Sequence, residues 1–349
     1  MQRPAKPSTP VRFRPYPPII GVSDARESVS DLPHSLRLYR QESLAPGPRL
    51  LVLGAVHGNE TCGTRAIERA IRSFERGERD LLRGSVTFVP VTNPLAYRRG
   101  TRIGDRNLNR NLRPKEITAD FEDRVGNVLC RLLGEHDVLL DLHSFTAPAV
   151  PFVMVGGTDP QSIEWRFART LGPQRFVTGW MEVYEAGVAR RRREGKQLDD
   201  PGLLDAGYGV GTTEYMRSRG GYGVTLECGQ HDDPEAIEVA TRAIDNALDF
   251  LGLSDRRERA KVEAAEAETV VATAPAAEVL RLTEVVDREH AADSFVGEWS
   301  SFSPVTAGRV VARRHDGREI RAASAGCILF PSRLAMPGHE WFYFARRES

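Results

Sequence analysis

Lysine is almost missing from this 349-residue chain: of its 48 basic side chains only Lys6, Lys115, Lys196 and Lys261 are lysines, and the rest are arginine. No lysine follows position 261, so the strand-rich carboxyl end cannot carry a lysine-linked cofactor of the lipoyl or biotinyl kind. Net charge is missing too. The 48 basic residues are cancelled by 48 acidic ones, and bulk electrostatics give no reason to expect a nucleic acid or an anionic membrane as partner. The four cysteines, Cys62, Cys130, Cys228 and Cys327, have no C-x-x-C spacing and lie beside apolar or glycine-rich segments, the pattern of buried free thiols in a reducing compartment. No run approaches the roughly 18 apolar residues that a membrane span requires. The first twenty residues set Arg3, Lys6, Arg12 and Arg14 among six prolines, without the apolar core of a signal peptide. The expectation is a cytoplasmic protein with a poorly ordered leader over residues 1–30.

What is present is concentrated at the ends of apolar runs. Leu50 to Val56 is too short for a helix of its own and suits a strand buried on both faces of a parallel sheet. His57 and Glu60 follow at once, in the loop leaving that strand, where open α/β sheets place their ligands. His-x-x-Glu alone is a weak signal. A second apolar strand, Val138 to Leu142, ends the same way, in Asp141-Leu142-His143. Two strand ends supplying His57, Glu60 and His143 make the three-ligand set of a catalytic zinc site with a fourth position open. A third run, Tyr222 to Glu227, carries its acid at the end. A carboxylate there is costly unless it is paired, hydrogen-bonded or shifted in pKa, which makes Glu227 a candidate general base.

Other elements follow from periodicity. Helices are predicted for Thr61 to Glu75, Phe121 to Leu133, Pro160 to Leu171 and Pro234 to Leu251, and strands for Ser35 to Tyr39, Val86 to Val91 and Pro151 to Gly156. Asn93 to Pro114 has neither period and holds six arginines among leucines and asparagines. Arginine forks recognise carboxylates, so substrate anchoring is expected in this loop. Arg190 to Arg193 with Lys196 reads first as a solvated basic loop and second as a contact for an acidic substrate. Beyond an Ala-, Glu- and Arg-rich linker, short strands and an Asp316-Gly317 turn predict a small all-β barrel or sandwich. The expected division is a catalytic α/β domain over 31–253, a linker over 254–277 and a β domain over 278–349.

His57-Gly-Asn-Glu60, the Asn93-Pro94 to Asn109-Arg110 loop, Asp141-Leu-His143 and Thr225-Leu-Glu227 together resemble the succinylglutamate desuccinylase and aspartoacylase family, over roughly residues 30 to 345. The resemblance implies a zinc-carboxypeptidase-like mixed central sheet flanked by helices, with a small carboxyl-terminal all-β domain. It implies one zinc ion on His57, Glu60 and His143, and Glu227 as general base and acid. Arg102 would polarise the scissile carbonyl, and Asn109 and Arg110 would hold the substrate's α-carboxylate. Asp141 is a candidate to take the far N–H of a ligand histidine. The family's Asp-Leu-Asn-Arg stands here as Asn107-Leu108-Asn109-Arg110, a change that bears on support of the loop. Relatives can bring a tyrosine to the pocket from the carboxyl end, and Tyr343 is the candidate, although beside Trp341 and Phe342 it fits a core aromatic equally. His231, four residues past Glu227, reads first as an ordinary loop histidine and second as a residue lining the site.

The implied activity is hydrolysis of the amide bond of a small N-acylated amino acid by metal-activated water, with no nucleic-acid or membrane partner and oligomeric state left open. The alternative enzyme is a zinc carboxypeptidase acting on short peptides, which needs the same zinc, base and carboxylate clamp. A zinc-binding domain without catalysis is disfavoured by the presence of both Arg102 and Glu227. Thr146-Ala-Pro-Ala149 replaces residues that are often polar in the family, which leaves room for an acyl group larger or less charged than succinyl.

Overall fold

The computed structural model describes residues 32–147, 149–195, 201–254 and 277–348. The expected leader, nearly all of the expected linker and Lys196 lie outside the described residues. In chain order the elements are β1 (Tyr39–Glu42), β2 (Arg49–Leu53), α1 (Cys62–Glu75), β3 (Ser85–Val89), α2 (Pro94–Arg99), α3 (Phe121–Glu135), β4 (Val138–Phe145), β5 (Phe152–Met154), α4 (Ile163–Thr170), β6 (Arg175–Thr178), α5 (Trp180–Arg193), α6 (Thr212–Ser218), β7 (Tyr222–Gln230) and α7 (Glu235–Phe250). The carboxyl end adds β8 (Glu278–Asp287), β9 (Ser294–Phe295), β10 (Ser303–Val305), β11 (Val310–Arg313), β12 (Glu319–Arg321), β13 (Gly326–Leu329) and β14 (Glu340–Arg347). No helix among the described residues is long and apolar enough to cross a membrane.

Eleven strands form one mixed sheet in the order β1-β3-β2-β4-β7-β5-β6-β8-β14-β13-β10, and β12-β11-β9 form a second small sheet. Parallel pairing of β3, β2, β4 and β7 makes the centre. β2 is apolar and buried from Leu50 to Leu53 because both faces are covered. Leu50 and Val52 face a core completed by Ile67 and Phe74 of α1, Phe167 of α4 and Ile244 of α7. Leu51 and Leu53 face the opposite core, completed by Leu129 and Leu133 of α3 and Met216 of α6. The side-chain period of two thus sends one apolar run into two cores at once.

Three sequence expectations change. The strand read at Ser35 to Tyr39 begins only at Tyr39 and runs to Glu42. Asn93 to Pro114 is not without regular structure: Asn93 caps α2, its side chain accepting from Ala96 N, and Gly100 ends the helix at φ 62°. Six residues are too few for a helical period to register. The basic run at Arg190 to Arg193 is the last turn of α5 rather than a solvated loop. Arg191 is fully buried, its Nε and Nη2 on the two carboxylate oxygens of Asp287 in β8 and its Nη1 on Leu203 O. Arg190 adds a further bond to Asp287 Oδ2. Position in sequence does not reveal this, because the counter-charge lies almost a hundred residues away.

That buried pair ties α5 to the carboxyl-end strands. Asp287→Ala removes the only carboxylate paired with Arg191 among the described residues and should destabilise the protein by about 3–5 kcal/mol, the usual cost of stranding a buried charge. Urea unfolding followed by circular dichroism is the check, and a loss under about 1 kcal/mol, the range of an exposed pair, would contradict it.

Candidate active site

Three neighbouring strand ends meet at one point. After β2 the backbone turns through Ala55, held at φ 46°, and His57 and Glu60 lie between this turn and α1. Gly58, between the two, sits so close to α2 that an added Cβ would stand 2.0 Å from Ala96 C and 2.2 Å from Tyr97 N, and only glycine fits. On β4, Asp141 and His143 share a face by the strand period. His143 is in register with Glu227 on β7, so the two side chains stand side by side.

His57, Glu60 and His143 are all buried, and one nitrogen or oxygen from each lies within 4.8 Å of the others. Glu60 is the centre: Oε1 is 2.9 Å from His57 Nδ1, and Oε2 is 2.8 Å from His143 Nδ1. Neither His57 Nδ1 nor His143 Nε2 makes a hydrogen bond at the separation it keeps from Glu60 or Asp141. The opposite ring nitrogens are each faced by an oxygen. His57 Nε2 is 3.1 Å from Asn107 Oδ1, and His143 Nε2 is 3.0 Å from Asp141 Oδ2. Two imidazoles with their Nδ1 atoms turned inward beside a carboxylate are the donor set of a transition-metal site, and they fit a divalent ion.

The electrostatics agree. Burial, with Arg102 nearby, pushes His57 down to about 4, leaving it neutral as a ligand must be. Burial opposes the charge on Glu60, but His57 and His143 outweigh it and hold the carboxyl well below its usual range. For His143 burial is overcome by Asp141 and Glu60, which raise it well above the usual imidazole value. The two acids that keep a proton on His143 would hold a metal ion in its place, with the proton released on binding. Burial pushes Glu227 up to about 7: His143 and Arg102 oppose the rise, and Glu60 and Asp141 add to it. Glu227 Oε2 is buried without a hydrogen-bond partner.

The loop after α2 is held by the first turn of α3. The buried Glu122 carboxylate accepts from Asn93 Nδ2 and from the main-chain N–H groups of Gly104, Asp105 and Arg106. Arg106 is locked on Asp120 and Asp123. Arg102, with its side chain 52% exposed, donates from Nη1 to Glu60 Oε1 at 2.6 Å. Asn107 Oδ1 also accepts from Asn109 N. Asn109 Oδ1 accepts from Thr212 N at the start of α6, which leaves its Nδ2 end for a ligand. Arg110 stacks on Trp180 at 4.7 Å and lies 3.6 Å from Glu340 Oε2. Tyr343 is buried near it, 5.6 Å from the Trp180 ring, with its hydroxyl unpartnered.

Every residue to which the resemblance gives a role therefore lies in one of two connected groups. His57, Glu60, His143, Asp141, Glu227 and Arg102 surround the cradle, and Asn109, Arg110 and Tyr343 lie along the loop leading from it. Sequence reasoning named Asn107 only as a change bearing on support of the loop and passed over Trp180, Glu340 and Ser144, of which Trp180 and Glu340 carry no motif. A cavity of about 350 Å³ among Arg288, Phe295, Arg333 and Trp341 includes none of these residues, and the convergence of side chains marks the chemistry better than the void does.

The family model described as the succinylglutamate desuccinylase/aspartoacylase catalytic domain matches residues 46–251. A probable aspartoacylase of Prochlorococcus marinus subsp. pastoris is 32% identical over 104 residues, which is 28% of this chain and 34% of that protein. A probable aspartoacylase of a Nostoc species is 27% identical over 122 residues, 32% of this chain and 40% of that protein. The chain thus spans only about a third to two fifths of the curated relatives it matches. Among solved structures, a succinylglutamate desuccinylase/aspartoacylase from Rhodobacter sphaeroides superposes with a TM-score of 0.63 at 18% identity, covering 90% of this chain and 89% of the other. The ectoine utilization protein EutE (DoeB) of Ruegeria pomeroyi superposes at 0.60 with 20% identity, covering 88% of each. At these identities the likeness establishes a shared fold. The family match takes in more than half of the chain and all three strand ends of the cradle, and the chain belongs to the succinylglutamate desuccinylase/aspartoacylase family.

Proposed function

We propose that this protein is a zinc-dependent deacylase that hydrolyses the amide bond of an N-acylated amino acid. The observation that carries the reading is the buried cluster of His57, Glu60 and His143 with Glu227 alongside. Zinc held by these three residues would supply a Lewis acid that acidifies water and polarises the amide carbonyl.

The protein's own side chains account for the remaining steps. Glu227, buried and held near neutrality, takes the proton of the attacking water and returns it to the leaving nitrogen. Arg102 projects from the rim of the cradle, where its guanidinium can meet the negative charge that develops on the carbonyl oxygen. Asn109 Nδ2 and Arg110 hold the substrate carboxylate, with Tyr343 beside them. Asn107 and Asp141 fix the orientation of the two imidazoles. Residues 278–349 form a second unit in this reading, after the division at 254–277, and bring Glu340 and Tyr343 to the wall around Arg110. The reading includes a cytoplasmic location.

The first test is turnover by zinc-loaded protein of paired panels of N-acyl amino acids and dipeptides. Release of free amino acid from the acyl panel is expected. Cleavage confined to the peptides would establish the carboxypeptidase instead. Glu227→Gln should retain one zinc per chain and lose about two to four decades of kcat, the usual worth of a general base. A near-normal rate would remove Glu227 from the mechanism. Asp141→Asn should weaken zinc binding by about 10–100-fold in a competition titration with a chelating dye, and unchanged affinity would leave Asp141 no part in orienting His143.

A further inference from the structure

Thr212 is buried at the start of α6 and belongs to none of the sequence motifs. Two of its atoms reach the two groups of residues that make up the site. The main-chain N–H donates to Asn109 Oδ1 at 2.9 Å, on the side of the carboxylate anchor. The hydroxyl donates to Asp141 Oδ2 at 2.5 Å, and that oxygen lies 3.0 Å from Nε2 of the ligand His143.

The backbone is arranged for both contacts. The anchor loop lies along the segment that precedes α6, with Asn111 N–H on Tyr208 O and Leu112 N–H on Val210 O. Gly211 lets the two segments close up, since an added Cβ there would stand 2.3 Å from Asn109 Oδ1. On the other side Asp141 is fully buried in β4 and its Oδ1 has no hydrogen-bond partner, so the carboxylate depends on the bond from Thr212.

Asn109 is joined to the other imidazole as well. Its N–H donates to Asn107 Oδ1, which lies 3.1 Å from His57 Nε2. Asn107, Asn109, Thr212 and Asp141 thus stand in one series between the outer nitrogens of the two ligand histidines. We propose that Thr212 is a positioning residue that sets the carboxylate anchor and the metal cradle relative to each other. Its hydroxyl orients Asp141 behind His143, and its main-chain N–H orients Asn109 with Nδ2 left for the substrate carboxylate. The inference rests on the deacylase reading and adds to it the residue that joins its two halves.

The two contacts come from separable atoms. Thr212→Val keeps the branched shape and removes only the hydroxyl. Thr212→Pro removes the main-chain N–H as well, at the first helical position where the helix does not use it, and Gly211 before it is extended, as a following proline requires. Zinc affinity is measured by competition with a chelating dye, and KM and kcat at saturating zinc on the N-acyl amino acid that the wild-type protein turns over fastest. Thr212→Val should weaken zinc binding about 10-fold or more, while Thr212→Ser, which keeps the hydroxyl, stays within about threefold of wild type. Thr212→Pro should bind zinc as Thr212→Val does and raise KM a further threefold to tenfold, roughly the worth of one hydrogen bond. Its kcat should change little, because an anchor holds substrate and transition state alike. Wild-type zinc affinity in Thr212→Val, affinity in Thr212→Ser as weak as in Thr212→Val, or equal KM in Thr212→Val and Thr212→Pro overturns the inference and leaves the deacylase reading standing. Turnover of peptides alone overturns that reading, with the zinc affinities still deciding the role of Thr212. Absence of zinc binding by the wild-type protein overturns both.

Discussion

A single buried carboxylate, Glu60, is what the arrangement turns on. It is buried, so its charge must be met by the protein, and both oxygens have close neighbours: His57 and Arg102 on one side, His143 and the N–H of Ser144 on the other. Those partners come from three separate segments of chain. Satisfying one charge therefore brings the loop after β2, the end of β4 and the loop after α2 to the same place. The sheet makes this cheap, because β2 and β4 are adjacent and parallel and their carboxyl ends already coincide.

Outside the cradle the same device recurs. Glu122 holds three consecutive backbone N–H groups of the loop that presents Asn107 to Arg110, so a segment without regular structure is set by a carboxylate in place of a ladder. Asp287 performs a comparable task between α5 and β8, and the loop, α5 and β14 together surround Arg110. Groups of opposite charge are thus used to fix geometry, which suits a site that must keep several ionisable side chains out of water at defined separations.

The centre of this design was legible in the sequence because it is local. His57 and Glu60 lie on one loop, Asp141 and His143 on one strand, and each follows an apolar run whose burial on both faces is dictated by composition. Glu227 was legible for the same reason, as an acid at the end of such a run. What escaped was non-local or too short to show a period. Arg191 looked like surface because Asp287 is 96 positions away in sequence. Helix α2 has six residues, and β6 and β9 have four and two. His231 looked ordinary because its partners, Asn59 and Ser144, are brought to it only when β2, β4 and β7 align.

The central claim is that His57, Glu60 and His143 together bind one zinc ion and that nothing else does. X-ray absorption at the zinc edge tests it directly, since Cys62 and Cys228 are buried free thiols flanking Glu60 and Glu227 in the chain and would be the competing ligands. The account predicts one zinc per chain with a shell of nitrogen and oxygen at about 2.0–2.2 Å, two of the scatterers being imidazoles. A sulfur scatterer at about 2.3 Å, or a spectrum unchanged in a His143→Ala variant, would contradict it.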